Sequence, residues 1–412
     1  MKFWWILAFP LAACSTVQPG TNANSQSPYL LLFAGDHDEK DEDFLAVADL
    51  RAGGKIIATH PVGLKASMPH HMEYWLPPAG EALFMNAHHH EQTLLVDTSN
   101  RTAPRVVRRL KPPEPYRFTH DYWRLPNGNR LIGFLRSNGA SPVAGDKDSP
   151  GNHGGIAEYT STGELVRTAS AAVSDYPKPL RPYAFAPLLE HDRLVTTSAV
   201  MMEENSADAV QIWRFSDLKL LHTIPMPKAD RENAERVPFE PRVMRDGSIL
   251  INAYGCGFYR LTGATSDAPR LEHLLTFAAE ETDPKKRGAC GVPVVTDRWW
   301  IMPVGKAHRI VTLDITDPSR PRKVAQFDTP ADFRPHWMAK DSNSNRVVVG
   351  AEFGGEQGML ILRLDERTGE LRPDNSIKAS NGRVGYLDLS QQVWPHGATG
   401  AAWAHAALFL PK

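Results

Sequence analysis

Met68-Pro69-His70-His71-Met72-Glu73-Tyr74-Trp75 is a short run of apolar, aromatic and imidazole residues that returns six more times in altered form. The others are Arg117-Phe118-Thr119-His120-Asp121-Tyr122-Trp123, Arg181-Pro182-Tyr183-Ala184-Phe185, Val237-Pro238-Phe239-Glu240-Pro241, Gly288-Ala289-Cys290-Gly291-Val292, Arg334-Pro335-His336-Trp337-Met338 and Trp394-Pro395-His396-Gly397-Ala398. They are spaced by roughly 50 to 60 residues, near the period of a propeller blade. Each opens a set of strands. A polar turn such as Pro126-Asn127-Gly128-Asn129 leads into a second strand, Arg130-Leu131-Ile132-Gly133-Phe134. A third strand ends on an acidic or polar turn, as at Leu95-Val96-Asp97 or Leu313-Asp314, and a fourth follows, as at Lys323-Val324-Ala325-Gln326-Phe327. Four antiparallel strands repeated radially make a propeller, which leaves only short protected edges.

The two ends of the chain are unequal in a way that a closed ring explains. The seventh opening has too little chain after it for a full blade, while Tyr29 to Ala34, Phe44 to Leu50 and Ile56 to Val62 are three strands that precede the first opening. Joined to the C-terminal inner strand, they complete a mixed blade. The sequence therefore predicts an all-β, seven-bladed β-propeller over residues 29–412, closed by its N-terminal strands. Two stacked β-sandwich domains are the competing architecture, and no linker-like break near the middle of the chain favours them.

The 412 residues include 42% hydrophobic residues with 10 Trp and 16 Phe, enough for a large core, and the formal net charge of −1 offers no footprint for nucleic acid. At the N-terminus, Lys2 precedes an apolar run from Phe3 to Ala13 that is too short to span a bilayer as a mature helix. The run ends in Leu11-Ala12-Ala13-Cys14-Ser15, which resembles a bacterial lipobox. Residues 1–14 are thus expected to be a lipoprotein signal with Cys14 as the acylated residue, and 15–28 a flexible tether. Ser15 after the cysteine resembles the outer-membrane pattern, so a periplasm-facing, lipid-anchored protein of the cell envelope is expected. Only Cys256 and Cys290 remain beyond the signal, in a compartment that permits a disulfide, and spacing leaves their pairing open.

The first strand of a propeller blade lines the central channel, so side chains in the openings converge on one axis. Aligned on their proline, four openings carry histidine in the same two slots: His70 and His71, His120, His336 and His396. Several imidazoles without nearby thiolates suit copper, zinc, iron or nickel. A polar plug holding ordered water is the other reading. Glu240 falls in the matching slot of the fourth opening and is expected to ligate or to orient an imidazole. Cys290 occupies the slot in the fifth, as a ligand or as a small buried residue. The run His88-His89-His90 lies at a turn and reads as a solvated or adventitiously metal-binding loop.

Taken in order, these openings resemble the selenium-binding protein family, which includes the methanethiol oxidases. The resemblance runs from Asp43 to His396. It rests on Met68-Pro69-His70-His71, on Thr119-His120, on Gly151-Asn152-His153-Gly154-Gly155-Ile156, on Val210-Gln211-Ile212-Trp213 with Leu220-Leu221-His222-Thr223-Ile224, and on Asp314 to Arg322. It implies a seven-bladed propeller and, for the oxidases, a copper site of channel histidines that converts methanethiol to formaldehyde, hydrogen sulfide and hydrogen peroxide. Carried over, the metal ligands are His70, His71, His120, His336 and His396. The family's cysteine pair after the His-His segment is missing from Met72 to Pro78, which removes the expected route to selenium binding. Two functions follow: a copper oxidase of a small-molecule thiol, or a non-catalytic envelope lipoprotein whose propeller is a docking platform for a protein or ligand. Bound metal separates them.

Overall fold

Along this chain runs of largely buried strands are each followed by one strand that is mostly exposed, and the sheets place the buried strands inside. The computed structural model describes residues 26–137, 153–174, 176–199, 207–352, 356–390 and 392–412. They form a seven-bladed β-propeller. Six blades follow in chain order, with inner strands Pro69–Met72, Tyr116–Arg124, Pro182–Leu188, Pro238–Val243, Val294–Val295 and Pro335–Lys340, each leading outward through three further strands. The remaining blade has Ala402–Leu410 as its inner strand, then Tyr29–Asp36, Phe44–Asp49 and Lys55–Pro61. Tyr29 pairs antiparallel with Leu410 and Asp36 with Ala402, so the last strand of the chain is held by the first.

The seventh opening lies off the channel. Trp394-Pro395-His396-Gly397-Ala398 is not an inner strand. It is the turn of a small hairpin, Gln392–Val393 with Thr399–Gly400, that precedes the true inner strand. Trp394 is buried against Phe44, with ring centroids 4.9 Å apart, and His396 Nδ1 meets Thr59 Oγ1 at 2.7 Å. Pro395 and Gly397 mark a turn, as the same residues do elsewhere.

The core lies between blades. Phe84 and Leu95 of one blade pack against Tyr122, Ile132 and Phe134 of the next, and Leu131 and Ile156 of that blade pack against Leu194 and Trp213 of the one after. Outer strands such as Leu165–Ser170 and Arg322–Asp328 keep most of their residues partly or fully exposed. Cys256 and Cys290 form a disulfide that links two neighbouring blades. Both thiols are consumed by it, so Cys290 is excluded as a metal ligand.

The signal and the lipidated Cys14 lie outside the described residues. The last part of the expected tether is not free: Ser27 is buried, its hydroxyl donates to Asp341 Oδ1 at 2.7 Å and its N–H to Oδ2 at 3.1 Å. Pro28 accepts the Leu50 N–H at 2.9 Å, which ties the segment to the first strands. Among the described residues no helix is long and apolar enough to cross a membrane.

Candidate metal centre

A recurring irregularity of the inner strands builds the channel lining. In the sheet carrying His70, Pro69 pairs with Ala87 and Met72 with Met85, so His70 and His71 together oppose the single residue Asn86. The same extra residue occurs at His120 and Asp121 opposite Gly133, at Tyr183 and Ala184 opposite Thr197, and at Phe239 and Glu240 opposite Asn252. His336 with Trp337 faces Gly350, and His405 with Ala406 faces Phe33. A bulge breaks the alternation of side chains and re-aims adjacent residues. Here it delivers two neighbouring residues from one strand to the same axis.

The opposing residue then clasps the next blade. Asn86 Nδ2 donates to the carbonyls of Thr119 and His120 at 3.0 and 3.1 Å, while its Oδ1 accepts the His71 N–H at 2.7 Å. Thr197 Oγ1 donates to the Phe239 carbonyl at 2.7 Å, and Asn252 Nδ2 to that of Gly291 at 3.1 Å. Where the clasp is glycine the backbones touch directly: a Cβ on Gly350 would stand 2.0 Å from the His405 carbonyl oxygen.

The result is a one-sided ring of imidazoles. His70 and His71 have ring centroids 4.4 Å apart, His71 and His120 4.2 Å, His70 and His405 4.7 Å, and His336 and His405 5.0 Å. One nitrogen from each of His70, His71 and His120 lies within 4.8 Å of the others, a grouping able to hold a metal ion. His120 Nδ1 donates to the Tyr183 carbonyl at 3.2 Å, which leaves its Nε2 lone pair directed at His70 Nε2, 3.3 Å away. That separation is close to the roughly 3.3 Å edge spanned by two nitrogens at about 2.0–2.1 Å from a tetrahedral metal.

His71 carries the decisive observation. It is fully buried, and among the described residues neither of its ring nitrogens has a hydrogen-bond partner; the Asp121 carboxylate stands 3.8 Å from Nδ1. Leaving such a group unsatisfied costs about 1–3 kcal/mol. Burial, and then the neighbouring imidazoles, push His70, His71 and His405 far below the usual histidine range, and burial does the same to His120. Burial lowers His336 as well. All five are therefore neutral at physiological pH, the form in which imidazole binds metal.

Beneath the imidazoles lies a charged layer. Tyr74 Oη donates to Glu240 Oε2 at 2.7 Å, and Arg242 Nη1 meets the same oxygen at 2.8 Å. The Arg242 guanidinium stacks over Tyr74 at 4.5 Å, and Tyr74 lies parallel to Trp337 at 5.6 Å. Burial, and then Glu240, push the Asp121 carboxyl well above the usual carboxylate range. Glu240 thus sits with Tyr74 and Arg242 rather than against an imidazole, so it does not orient a ligand directly; Asp121 is the carboxylate beside His71.

Of the residues expected from sequence, the structure brings together His70, His71, His120 and His336. His396 is elsewhere, bonded to Thr59, and its slot is filled by His405. The signal for His405 was present: Ala402–Leu410 is a long apolar strand whose one strongly polar residue is that histidine, but it lacks the proline that marks most of the other openings. His88 is a second departure. It is partly buried, with its ring 5.3 Å from that of His70, and burial lowers its pKa to about 4. Only His89 and His90 of that run are exposed.

No protein-family model matches the chain, and no curated protein does. Among solved structures, a hypothetical selenium-binding protein from Sulfolobus tokodaii is similar with a TM-score of 0.68 and 14% identity, covering 93% of each chain. A protein from Lactobacillus plantarum has a TM-score of 0.62 at 12% identity, over 88% of this chain and 100% of the other. The periplasmic gluconolactonase of Pseudomonas aeruginosa has a TM-score of 0.60 at 13% identity, over 93% of this chain and 98% of its own. At these identities the likeness is one of fold.

Proposed function

We propose that this chain is a copper-dependent oxidase of a small thiol, held at the cell envelope by acylated Cys14 and facing the periplasm of the outer membrane. The observation that carries this reading is the cluster of three buried imidazoles in which one nitrogen from each of His70, His71 and His120 lies within 4.8 Å of the others. Ordered water would satisfy the His71 ring as a metal would, so bound metal is what separates the two readings. An all-imidazole set with no thiolate suits copper, with zinc and iron the ions to measure beside it. When bound, copper would supply one-electron chemistry and an open position for a thiol or dioxygen.

The chain's own residues define the rest. His70, His71 and His120 would hold the ion, with His405 and His336 next to them on the ring. The Tyr183 carbonyl fixes the His120 tautomer, and Asp121 stands where it can orient His71. Tyr183, Phe239 and Trp337 pack around the imidazoles and bury the site. The Sulfolobus neighbour described as selenium-binding supports the fold on which such a site would be built, and the missing cysteine pair argues against selenium binding and leaves a divergent branch with another substrate open. The overall reaction is methanethiol, dioxygen and water going to formaldehyde, hydrogen sulfide and hydrogen peroxide.

The test uses the purified full chain in detergent, reconstituted with copper, with metal measured by elemental analysis and peroxide and sulfide measured after methanethiol is added. Stoichiometric copper with formation of both products is expected, and both are expected to be lost in His120→Ala. Absence of stoichiometric copper, zinc or iron after reconstitution would overturn the metal centre and favour the docking platform. Copper binding without products would overturn thiol oxidation alone.

A further inference from the structure

The three consecutive histidines at 88–90 are not a uniform solvated tag. They form a 3-10 turn directly after the strand Leu83–Ala87, whose residue Ala87 pairs with Pro69 beside the metal-site pair. The His88 N–H donates to the Met68 carbonyl at 3.2 Å and the His89 N–H to the Ser67 carbonyl at 3.0 Å. The turn is thereby pinned to the segment that enters the His70 strand. His90 is diverted, its Nε2 meeting the Lys65 carbonyl at 2.8 Å.

The other two rings descend toward the channel. His89 is exposed, His88 partly buried and His70 buried, and the ring centroids are 6.3 Å apart in the first step and 5.3 Å in the second. Two imidazoles sharing one ion at about 2.0–2.1 Å from each nitrogen have centroids roughly 5 to 6.5 Å apart, from tetrahedral to linear geometry. Both steps fall in that window. The other end of the channel carries the Arg242, Tyr74 and Trp337 stack, where a bare cation would have to pass a fixed guanidinium.

We infer that His89 and His88 are an entry ladder that passes a soft or borderline transition-metal ion, Cu(I) above all, from the surface to His70. This rests on the metal-centre reading above and adds a kinetic role to it: the ladder residues set how fast the site fills, and the buried histidines set how tightly it holds. Packing alone would explain His88 against Phe118, at 5.9 Å, but not the exposed imidazole of His89 at 6.3 Å from His88.

The experiment follows transfer of Cu(I) from its coloured bicinchoninate complex to the metal-free full chain. The expected result is that His88→Ala and His89→Ala each load at least tenfold more slowly than wild type yet reach the same final copper content. His90→Ala should load at the wild-type rate, and His88→Met, which restores a Cu(I) ligand, should recover most of the speed. His89 is exposed, so its variant carries the test even if His88→Ala is impaired in folding. Loading of both alanine variants within twofold of wild type would overturn the ladder while leaving the metal centre standing. A lower final copper content in His89→Ala would make that residue a ligand and also overturn it. No uptake by wild type would overturn ladder and centre together.

Discussion

A buried imidazole with no hydrogen-bond partner among the described residues is costly unless water or an ion fills the place, and His71 allows that to be measured. Replacing a buried unsatisfied polar group by an apolar one of similar shape is nearly neutral or stabilising. His71→Leu is therefore expected to leave the melting temperature of the metal-free chain unchanged or higher, while metal affinity falls by more than the 10 to 100-fold typical of outer-shell changes. Calorimetry of the metal-free variant checks the first half, and a clear drop in melting temperature would show that His71 is already satisfied without metal. His396→Ala, by contrast, should keep full metal content, since that ring lies on Thr59. Titration gives a further check. The unfolded chain protonates each histidine near 6.5, whereas His70, His71, His120 and His405 resist protonation far below that when folded. The unfolded state then binds more protons, so the metal-free chain should lose stability as pH falls below about 6.5. Asp121 works in the opposite sense, its carboxyl keeping its proton above 3.8 when folded, as do the carboxyls of buried Asp43 and partly buried Asp208, against these four histidines and His88. Equal melting temperatures at pH 7.5 and 5.5 would contradict this.

Among the elements, the bulged inner strand and the small or amide residue facing it are the repeating device, and proline was its visible mark. Pro69, Pro182, Pro238 and Pro335 each stand at the start of an inner strand just before the bulge, a position where a missing N–H is tolerated. That is why His70, His71 and His336 could be placed on the channel from sequence, with His120 carried by the register of its neighbours. The same mark failed at Pro395, where it belongs to a hairpin turn, and His405 was missed because Ala402–Leu410 needs no proline. Asp121 and Tyr74 were not legible at all, since their roles depend on contacts between blades. The clasp itself is testable. A methyl group on Gly350 would press on the His405 carbonyl, and overpacking of this kind costs about 1–3 kcal/mol. Gly350→Ala is expected to lower the melting temperature by a few degrees and to weaken metal binding through the displaced His405 strand. Wild-type values for both would mean that the blades can slide apart freely.

For the molecule as a whole, closure by Tyr29–Asp36 on Ala402–Leu410 makes the two ends of the chain part of the site's scaffold. Removing residues 402–412 would strip an inner strand, expose the edge at Tyr29–Asp36 and delete His405, so the truncated chain is expected to aggregate. A soluble, cooperatively folding truncation would argue against closure as a source of stability. Anchoring is separable from all of this, and Cys14→Ser should move the protein out of the membrane fraction without altering its metal content. The ring of histidines is where fold and proposed chemistry meet, because it exists only when four blades bring their bulges to one axis. Electron paramagnetic resonance of the Cu(II)-loaded full chain reads that ring directly. One copper per chain with hyperfine splitting from at least three imidazole nitrogens is expected in wild type, reduced in His120→Ala and unchanged in His396→Ala; a wild-type spectrum reproduced by the His120→Ala chain would rule out the histidine ring as the copper site.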